Sequence, residues 1–354
     1  MLSISPVWTI GASLPHTMLI VPLDRMSVLL SREMERVSIE NMVRNAEFRD
    51  RADSETVADV AAETLAGLAL TARRLGLEAW SAGLSHGIAC ALRNRVDAAW
   101  SDVTGMVDDL RLVKSPEEQA LLRKAAAAAD AGTAAAVAAV SDGAEEREIA
   151  AACLAAMTRA GGELPVFETF IRPRTRLGEE HTTWGQGEFR RGETVFLEIA
   201  GFVARYNDPN GRPVHLGPAP EQDRAVAEIA RGAYQAALAA LKPGAKARDI
   251  HTAWQDEVDA AGLAHHRRHH CGYAVGISFP PAWTGGKTVT GLRPDSDLPI
   301  REGMSFHLMS WLMGCGGGDL FVSSCVLLTG SGAESLTTRP HFNEVCSPQC
   351  HVIA

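Results

Sequence analysis

The chain has 354 residues, of which 46% are hydrophobic and 22% charged, with a formal net charge of −9 at pH 7. Acidic and basic residues are interspersed, which excludes the basic stripe of a nucleic-acid-binding protein, and no apolar run reaches the roughly 18 residues of a membrane span. The length is sufficient for two domains and a sizeable core.

The N-terminal stretch and the cysteines indicate the compartment. MLSISPVWTIGASLPHTMLIVPLD has neither a basic n-region nor a small-residue cleavage site, so it is not predicted to be a signal peptide. The seven cysteines are odd in number and scattered, unlike a disulfide framework. Cys346 and Cys350 have no second pair nearby, so a structural zinc is not expected. A cytoplasmic location is predicted.

Residues 1 to 110 are predicted to form a small α/β domain. Short apolar runs between residues 6 and 31 are bounded by Gly, Pro and Asp, which is typical of strands. Apolar residues recur at helical spacing over 53–75. A strand candidate over 77–83 precedes a second predicted helix over 86–96.

The composition changes near residue 111, where a long helix is predicted. Ser115 occupies an N-cap position, Pro116 follows at the first helical position, and Glu117 and Glu118 complete the first turn. Further helices are predicted over 144–161, 221–241 and 246–262. Residues 193–207 are predicted to form a buried strand that turns into a second strand, and residues 321–329 to form another strand. Helices beside an antiparallel sheet predict an α+β domain over 111–354.

Four segments in order along the chain resemble a known family. They are LRLVKSPEEQALLRKA at 110–125, HTTWGQGEFRRGETVFLEIAG at 181–201, GYAVGISFPP at 272–281 and LPIREGMSFHLM at 298–309. They are similar to the linker and active-site segments of the creatinase/aminopeptidase-P (M24) family. This resemblance implies an α+β pita-bread catalytic domain over 111–354, preceded by a creatinase-type N-terminal domain over 1–110 that looks short at its start.

Most members of that family are hydrolases with two metal ions held by two Asp, one His and two Glu. By resemblance these positions fall on Glu198, on Pro209 with Asp208 one residue away, on Tyr273, on Met309, and on Ser323 or Ser324. Pro and Met are not ligands for hard cations, and one carboxylate does not hold two metals. The resemblance therefore implies a site without metal or other cofactor.

The sequence around these active-site positions is most similar to the metal-free ectoine hydrolase branch of the family. FLEIAG around Glu198, GYxxGxSxPPxW around Tyr273 and GMxFHxM around His307 carry this likeness. It implies hydrolysis of a C–N bond in a small cyclic amidine carboxylate such as ectoine. Two alternatives stay open: a creatinase-like amidinohydrolase of an open-chain guanidino acid, and a ligand-binding pseudoenzyme, since Ser323 or Ser324 replaces an acid.

Glu198 and His181 are the predicted catalytic residues. A carboxylate inside an apolar run costs several kcal/mol unless it is paired, so a functional role is expected for Glu198. By resemblance Glu198 attacks the amidine carbon or activates water. His181 lies seventeen residues earlier and is expected to carry a proton to the leaving ring nitrogen.

Seven further residues are predicted to bind the substrate. Tyr273 offers a neutral hydroxyl group, and His307 and Met309 alternate with Trp311 on a predicted strand, which places them on one wall. Trp184 is the candidate for a cation–π contact with a protonated amidine. The candidates for binding a substrate carboxylate are Arg205, Arg212 and Arg268.

Four histidines, at positions 265, 266, 269 and 270, form a dense cluster after the predicted helix 246–262. Histidine near a helix C-terminus interacts favourably with the helix dipole, and this interpretation is preferred to a metal site. The only other partners expected are the small-molecule substrate and a second copy of the chain, because the resemblance implies a homodimer.

Overall fold

The computed structural model describes residues 17–81, 83–279, 284, 289–313 and 319–345. The candidate strands before residue 17 and the Cys346–Cys350 pair lie outside these ranges. The chain divides into two units between residues 110 and 111. Within the described ranges, no helix is long and apolar enough to cross a membrane.

The first unit contains two small sheets with helices. Strands β1 (Met18–Ile20), β2 (Ser27–Arg32) and β3 (Ala46–Arg51) form one sheet, and β4 (Arg74–Leu77) pairs in parallel with β5 (Ala99–Asp102). The helices are α1 (Arg36–Met42), α2 (Val57–Gly67), α3 (His86–Arg95) and α4 (Met106–Arg111). Leu30, Val60 and Leu92 belong to its core.

Two predictions for this unit were wrong at their boundaries. The helix predicted over 53–75 ends at Gly67, because Ala69 and Ala72 adopt positive φ and interrupt the helical backbone. The strand candidate over 77–83 is displaced, since β4 ends at Leu77. The helix predicted over 86–96 is confirmed as α3.

The second unit contains four long helices: α5 (Pro116–Ala139), α6 (Glu146–Arg159), α7 (Glu221–Ala240) and α8 (Ala247–Ala260). The predicted start of α5 is confirmed. The Ser115 hydroxyl accepts a hydrogen bond from the Glu118 amide (3.3 Å), and the Glu118 carboxylate accepts one from the Ser115 amide (2.7 Å). This capping box satisfies two N–H groups that the helix itself leaves unpaired.

An eight-stranded sheet forms the centre of the second unit. Its strands are β6 (Phe170–Pro173), β7 (Thr194–Val203), β8 (Tyr206–Leu216), β9 (Gly272–Ala274), β10 (Ser305–Leu312), β11 (Leu320–Thr329), β12 (Gly332–Ser335) and β13 (Asn343–Val345). The order is β6-β7-β8-β11-β10-β9, with β12 beside β11 and β13 beside β8. Neighbours along this path are antiparallel, which confirms the predicted α+β class.

The two faces of this sheet have different neighbours. Leu197, Ile199 and Val214 pack against α5 and α6, and Leu308 and Val322 pack against α7 and α8. We call this side the helix face. Because strand residues alternate in direction, their neighbours point the other way, and we call that side the open face.

The open face is strongly curved. Tyr273 on β9 packs against a core cluster that contains Phe170 on β6 and Ala200 on β7. In a flat sheet β6 and β9 would be five strand spacings apart, or about 24 Å. The contact therefore brings the two edges of the sheet together over the open face.

The turn between β7 and β8 is held by a carboxylate. Ala204 (φ 47°) and Arg205 (φ 66°) both adopt left-handed backbone conformations, as a two-residue hairpin turn requires but side chains disfavour. Glu163 accepts hydrogen bonds from the amides of Ala204 (2.6 Å) and Arg205 (3.2 Å), and its carboxylate lies 3.4 Å from the Arg205 guanidinium. Arg205 therefore helps to stabilise the turn.

Candidate active site

Four residues form one row across the open face. Glu198 on β7 pairs with Gly211 on β8, Gly211 pairs with Ser323 on β11, and Ser323 pairs with Met309 on β10. Directly paired residues share a face of the sheet. A side chain at Gly211 would collide with the Phe321 ring and lie 2.9 Å from Ser323 Oγ, so only glycine leaves the space these groups occupy.

The same strand pairing decides between the two alternatives that the sequence left open, Pro209 or Asp208 and Ser323 or Ser324. Pro209 pairs with Ala200 and lies on the open face, two residues from Gly211, whereas Asp208 pairs with Gly201 and points to the helix face. Ser323 is the residue of the row. Ser324 points to the helix face, where its hydroxyl contacts Arg212 (3.1 Å).

Asp208 is fully buried on the helix face. Burial, reinforced by the nearby Asp130 carboxylate, raises its pKa well above the ordinary value. Asp208 points to the helix face and Glu198 to the open face, so the two carboxyl groups do not share a face of the sheet.

Glu198 is a buried carboxyl group. It is 6% exposed, and no hydrogen bond or ion pair to its carboxylate is found in the described part of the chain. Burial raises its pKa to about 8; the Arg172 guanidinium acts in the opposite sense, and the Glu180 carboxylate adds to the increase. At neutral pH the unliganded side chain is therefore mostly protonated.

Arg172 is a site residue that the sequence analysis missed. It lies on the open face of β6, where its guanidinium carbon is 5.1 Å from the Phe170 ring and 4.9 Å from the Phe196 ring. It donates hydrogen bonds to the backbone carbonyls of Thr182 (2.6 Å) and Glu180 (3.2 Å). Arg172 thus supplies positive charge near Glu198 and fixes the segment that carries His181. An arginine inside the apolar run VFETFIRP was the available signal.

His181 lies beside the strand partner of Glu198. Its ring is 5.7 Å from Phe167 and 6.4 Å from Phe170, and Phe170 pairs with Glu198. The side chain is exposed.

Tyr273 and His307 face the same space from the other edge. The register pairs them, and His307 Nδ1 is 3.0 Å from Tyr273 Oη. On its other side, His307 Nε2 is 2.6 Å from Ser323 Oγ. Burial lowers the pKa of His307 to about 3, and His270 and Arg212 act in the same sense, so the imidazole is neutral.

Met309 and Trp311 form an apolar wall together with Phe196 and Phe321. Arg268 lies on this wall, with its guanidinium carbon 4.4 Å from the centre of the Trp311 ring. It also forms an ion pair with Glu180 at 3.3 Å. Among the three predicted arginines, Arg268 is the one that the structure brings to the open face beside site residues.

The structure places three predicted substrate-binding residues elsewhere. Arg205 lies in the β7–β8 turn, seven residues or roughly 23 Å of strand from Glu198. Arg212 is fully buried on the helix face and donates to the backbone carbonyls of Gly211, Ser323 and Arg339. Trp184 packs against the core beneath α5 and α6. Strand alternation and the hairpin turn, which the sequence spacing does not reveal, separate them from Glu198.

The histidine cluster is divided among different contacts. His266 Nε2 is 2.9 Å from the Trp311 carbonyl, and the His269 and His270 rings are 4.2 Å apart. The His270 ring lies 5.6 Å from Tyr273, and burial lowers its pKa to about 3. In the described ranges no three His, Cys, Asp or Glu side chains are grouped closely enough to hold a metal ion.

Comparison with known proteins identifies the family. Residues 120–329 match Metallopeptidase family M24, and residues 12–113 match the creatinase/prolidase N-terminal domain. The chain belongs to the M24 family. The resemblance predicted from the four sequence segments is confirmed, as is the pita-bread fold with a smaller N-terminal domain.

Within the M24 family, the relatives differ in activity. Ectoine hydrolase from Halomonas elongata is 30% identical over 263 residues, which cover 71% of this chain and 64% of that protein. An Xaa-Pro dipeptidase from Pyrococcus furiosus is 27% identical over 235 residues, 66% of each chain. The chain thus spans about two thirds of the length of these relatives.

The fold also matches solved structures of M24 enzymes. The X-Pro aminopeptidase from Thermotoga maritima superposes with a TM-score of 0.80 at 19% identity, covering 93% of this chain and 90% of that one. Prolidase from Pyrococcus furiosus gives a TM-score of 0.78 at 23% identity, covering 92% and 90%. At these identities the likeness concerns the fold.

Proposed function

We propose that this M24 protein hydrolyses a C–N bond in a small cyclic amidine carboxylate of the ectoine type without a metal ion. The observation that carries the proposal is the row on the open face, where Glu198 is followed by Gly211, Ser323 and Met309. It contains one carboxyl group. The likeness to ectoine hydrolase from Halomonas elongata supports the substrate class.

The residues at the metal positions do not fit a dinuclear centre. They are Glu198, Pro209, Tyr273, Met309 and Ser323. A proline has no donor side chain and a thioether is a poor ligand for hard cations, while two bridged ions need several carboxylates. The chemistry is therefore derived from the side chains of the chain alone.

A protonated amidine supplies the electrophile that a metal would otherwise create, because its central carbon already carries positive charge. Glu198 has a raised pKa in the empty site. An amidinium beside it favours the carboxylate form, so substrate binding itself generates the reactive anion. Glu198 then attacks the carbon directly or removes a proton from an attacking water.

The bond changes balance as a hydrolysis. Water supplies the oxygen and the proton. A C–O bond forms at the amidine carbon, the C–N bond to one ring nitrogen breaks, and that nitrogen takes up a proton; where Glu198 attacks directly, water then cleaves the bond between Glu198 and the carbon. His181 is the candidate carrier of this proton because it lies at the exposed side of the site. The product is an open-chain amide with a free amine.

The remaining contacts suit a small zwitterion. Arg268 is proposed to bind the substrate carboxylate, for which its planar guanidinium is well shaped. Trp311, under this arginine at 4.4 Å, and Met309 would contact the apolar edge of the ring. The ion pair between Arg268 and Glu180 must then open, since both partners cannot hold the same guanidinium edge.

A substrate panel tests this proposal. Protein treated with a strong chelator is assayed with ectoine, hydroxyectoine, creatine and an Xaa-Pro dipeptide, with product detected by mass spectrometry. Ring opening of ectoine or hydroxyectoine at an undiminished rate is expected. Turnover of creatine alone would favour a creatinase-like enzyme, and dipeptide cleavage restored by added metal would refute the proposal. Thermal shifts without any turnover would indicate a binding protein.

A further inference from the structure

Tyr273, His307 and Ser323 form a continuous hydrogen-bonded chain on the open face, which we call the relay chain. His307 lies at its centre, 3.0 Å from Tyr273 Oη and 2.6 Å from Ser323 Oγ. Its side chain is fully buried. The three residues come from β9, β10 and β11, so the sheet itself fixes their spacing.

The ends of the relay chain face different parts of the site. Ser323 lies in the row that contains Glu198, with the bare backbone of Gly211 between them. Tyr273 packs against the core cluster that contains Phe170, the strand partner of Glu198. The relay chain therefore connects two points around the space in front of the Glu198 carboxyl group.

A neutral imidazole can be arranged in two ways here. It has one N–H group and one bare nitrogen, so it accepts from one hydroxyl and donates to the other. In the first arrangement Tyr273 donates to Nδ1 and Nε2–H donates to Ser323. In the second, Ser323 donates to Nε2 and Nδ1–H donates to Tyr273. Burial and the Arg212 guanidinium oppose a positive charge on the His307 ring.

We propose that the relay chain moves a proton across the site during the hydrolysis proposed above, on which this inference rests. Starting from the first arrangement, Ser323 releases its hydroxyl proton, Nε2 gives its proton to Ser323, and Tyr273 gives its proton to Nδ1. A proton from the reacting water then replaces the one lost by Tyr273. One proton enters and one leaves, and no group keeps a net charge.

The released proton goes to the leaving ring nitrogen, for which the relay chain is a second proton source on the buried side of the site, beside His181 on the exposed side. Exchange with solvent at the two hydroxyls restores the first arrangement between turnovers. A serine at position 323 suits this neutral relay, because a carboxylate beside His307 would favour the imidazolium and stop the exchange of tautomers. His307 acts here through its neighbours and is a positioning residue.

Two substitutions interrupt the relay chain at its ends, and a third provides a matched control. Tyr273→Phe and Ser323→Ala each remove one hydroxyl group. Ser324→Ala also removes a buried serine hydroxyl, but from the helix face, where it contacts Arg212 and His341. Thermal melting of all three establishes that the variants are folded.

The readouts are kcat, KM and the solvent isotope effect with ectoine as substrate. Losing one proton-transfer partner typically costs about 10²-fold or more, so kcat should fall by that factor in Tyr273→Phe and Ser323→Ala, with KM within about threefold. A plot of rate against deuterium fraction should be curved for the unmodified protein and for Ser324→Ala, and linear for the other two. Unchanged kcat and curvature in both end variants would overturn the relay.

¹⁵N NMR of protein labelled with ¹⁵N-histidine tests the relay chain independently of whether ectoine is a substrate. His307 should remain neutral between pH 5 and 8, with both ring nitrogens showing averaged shifts of two populated tautomers. A ring that becomes protonated in this range, or one fixed tautomer, would contradict the proposal. Failure of the substrate panel with a positive NMR result would reject the proposed substrate and leave the relay standing.

Discussion

At the scale of single residues, the proposed function depends on Glu198. Its position inside an apolar strand made a functional role predictable from the sequence, because an unpaired buried carboxylate is costly. Burial in this strand, which is the main cause of its raised pKa, was predictable for the same reason. The smaller effects of Arg172 and Glu180, and the fact that Asp208 points to the other face, were not predictable, because they depend on other segments and on the strand register.

The raised pKa of Glu198 predicts a pH-dependent stability. The folded protein keeps a proton up to about pH 8, whereas the unfolded chain releases it near the ordinary value of 4.5. The contribution of Glu198 to the free energy of unfolding is therefore fully present below pH 4.5 and is lost as the pH rises to about 8. Glu198→Gln should remove this decline, which is on the order of a few kcal/mol at about 1.4 kcal/mol per pKa unit.

Urea denaturation at pH 5 and pH 8 measures this effect. The free energy of unfolding should differ more between the two pH values for the unmodified protein than for Glu198→Gln. Glu188→Gln, at an exposed position, is the control and should behave like the unmodified protein. Equal pH dependence in all three proteins would show that Glu198 is not buried as a neutral acid.

At the scale of elements, the β7–β8 hairpin determines which residues meet. The sequence predicted a buried strand that turns into a second one, and this is confirmed. It did not predict the register, although a one-residue slip exchanges the two faces. That is why Asp208 and Ser324 remained alternatives to Pro209 and Ser323 until the pairing was known.

The turn of this hairpin should depend on Glu163. Glu163→Ala removes the acceptor for two backbone amides and is expected to cost about 1–3 kcal/mol of unfolding free energy. Ala204→Gly relieves the positive φ at this position and should stabilise the protein by up to about 1 kcal/mol. Both are measured by urea denaturation. A neutral Glu163→Ala variant would mean that the turn does not need its carboxylate.

Gly211 provides a second test at this scale. Gly211→Ala places a methyl group against Phe321 and Ser323, which should cost about 1–3 kcal/mol by overpacking and lower activity by shifting the row. Gly232→Ala, in α7 with open space around it, should gain up to about 1 kcal/mol from helix propensity. Chemical denaturation compares the two. Equal stability of both variants would argue against a closely packed row.

At the scale of the whole molecule, four ordered segments were enough to predict the family and the fold, because they mark active-site positions on separate strands. The curvature that brings Tyr273 to Phe170 was not predictable, since it arises from contacts between residues about a hundred positions apart. For the same reason the sequence suggested three arginines, and the tertiary arrangement favours Arg268.

The homodimer implied by the family resemblance stays a prediction. Light scattering coupled to size-exclusion chromatography should give about twice the chain mass of 37.8 kDa. Dimerisation depends on protein concentration. The dimer mass should still be measured after dilution to micromolar protein. A mass of 37.8 kDa at all concentrations would rule out the dimer.

The central claim is that Glu198 performs a metal-free hydrolysis, and one comparison tests it most directly. Metal-stripped protein, Glu198→Gln and Asp208→Asn are assayed with ectoine under saturating substrate. The unmodified protein and Asp208→Asn should have equal kcat, because Asp208 points to the helix face, away from Glu198. Glu198→Gln should lose at least about 10³-fold, as expected for a nucleophile or base. Full activity of Glu198→Gln, or activity that returns only with added metal, would contradict the account.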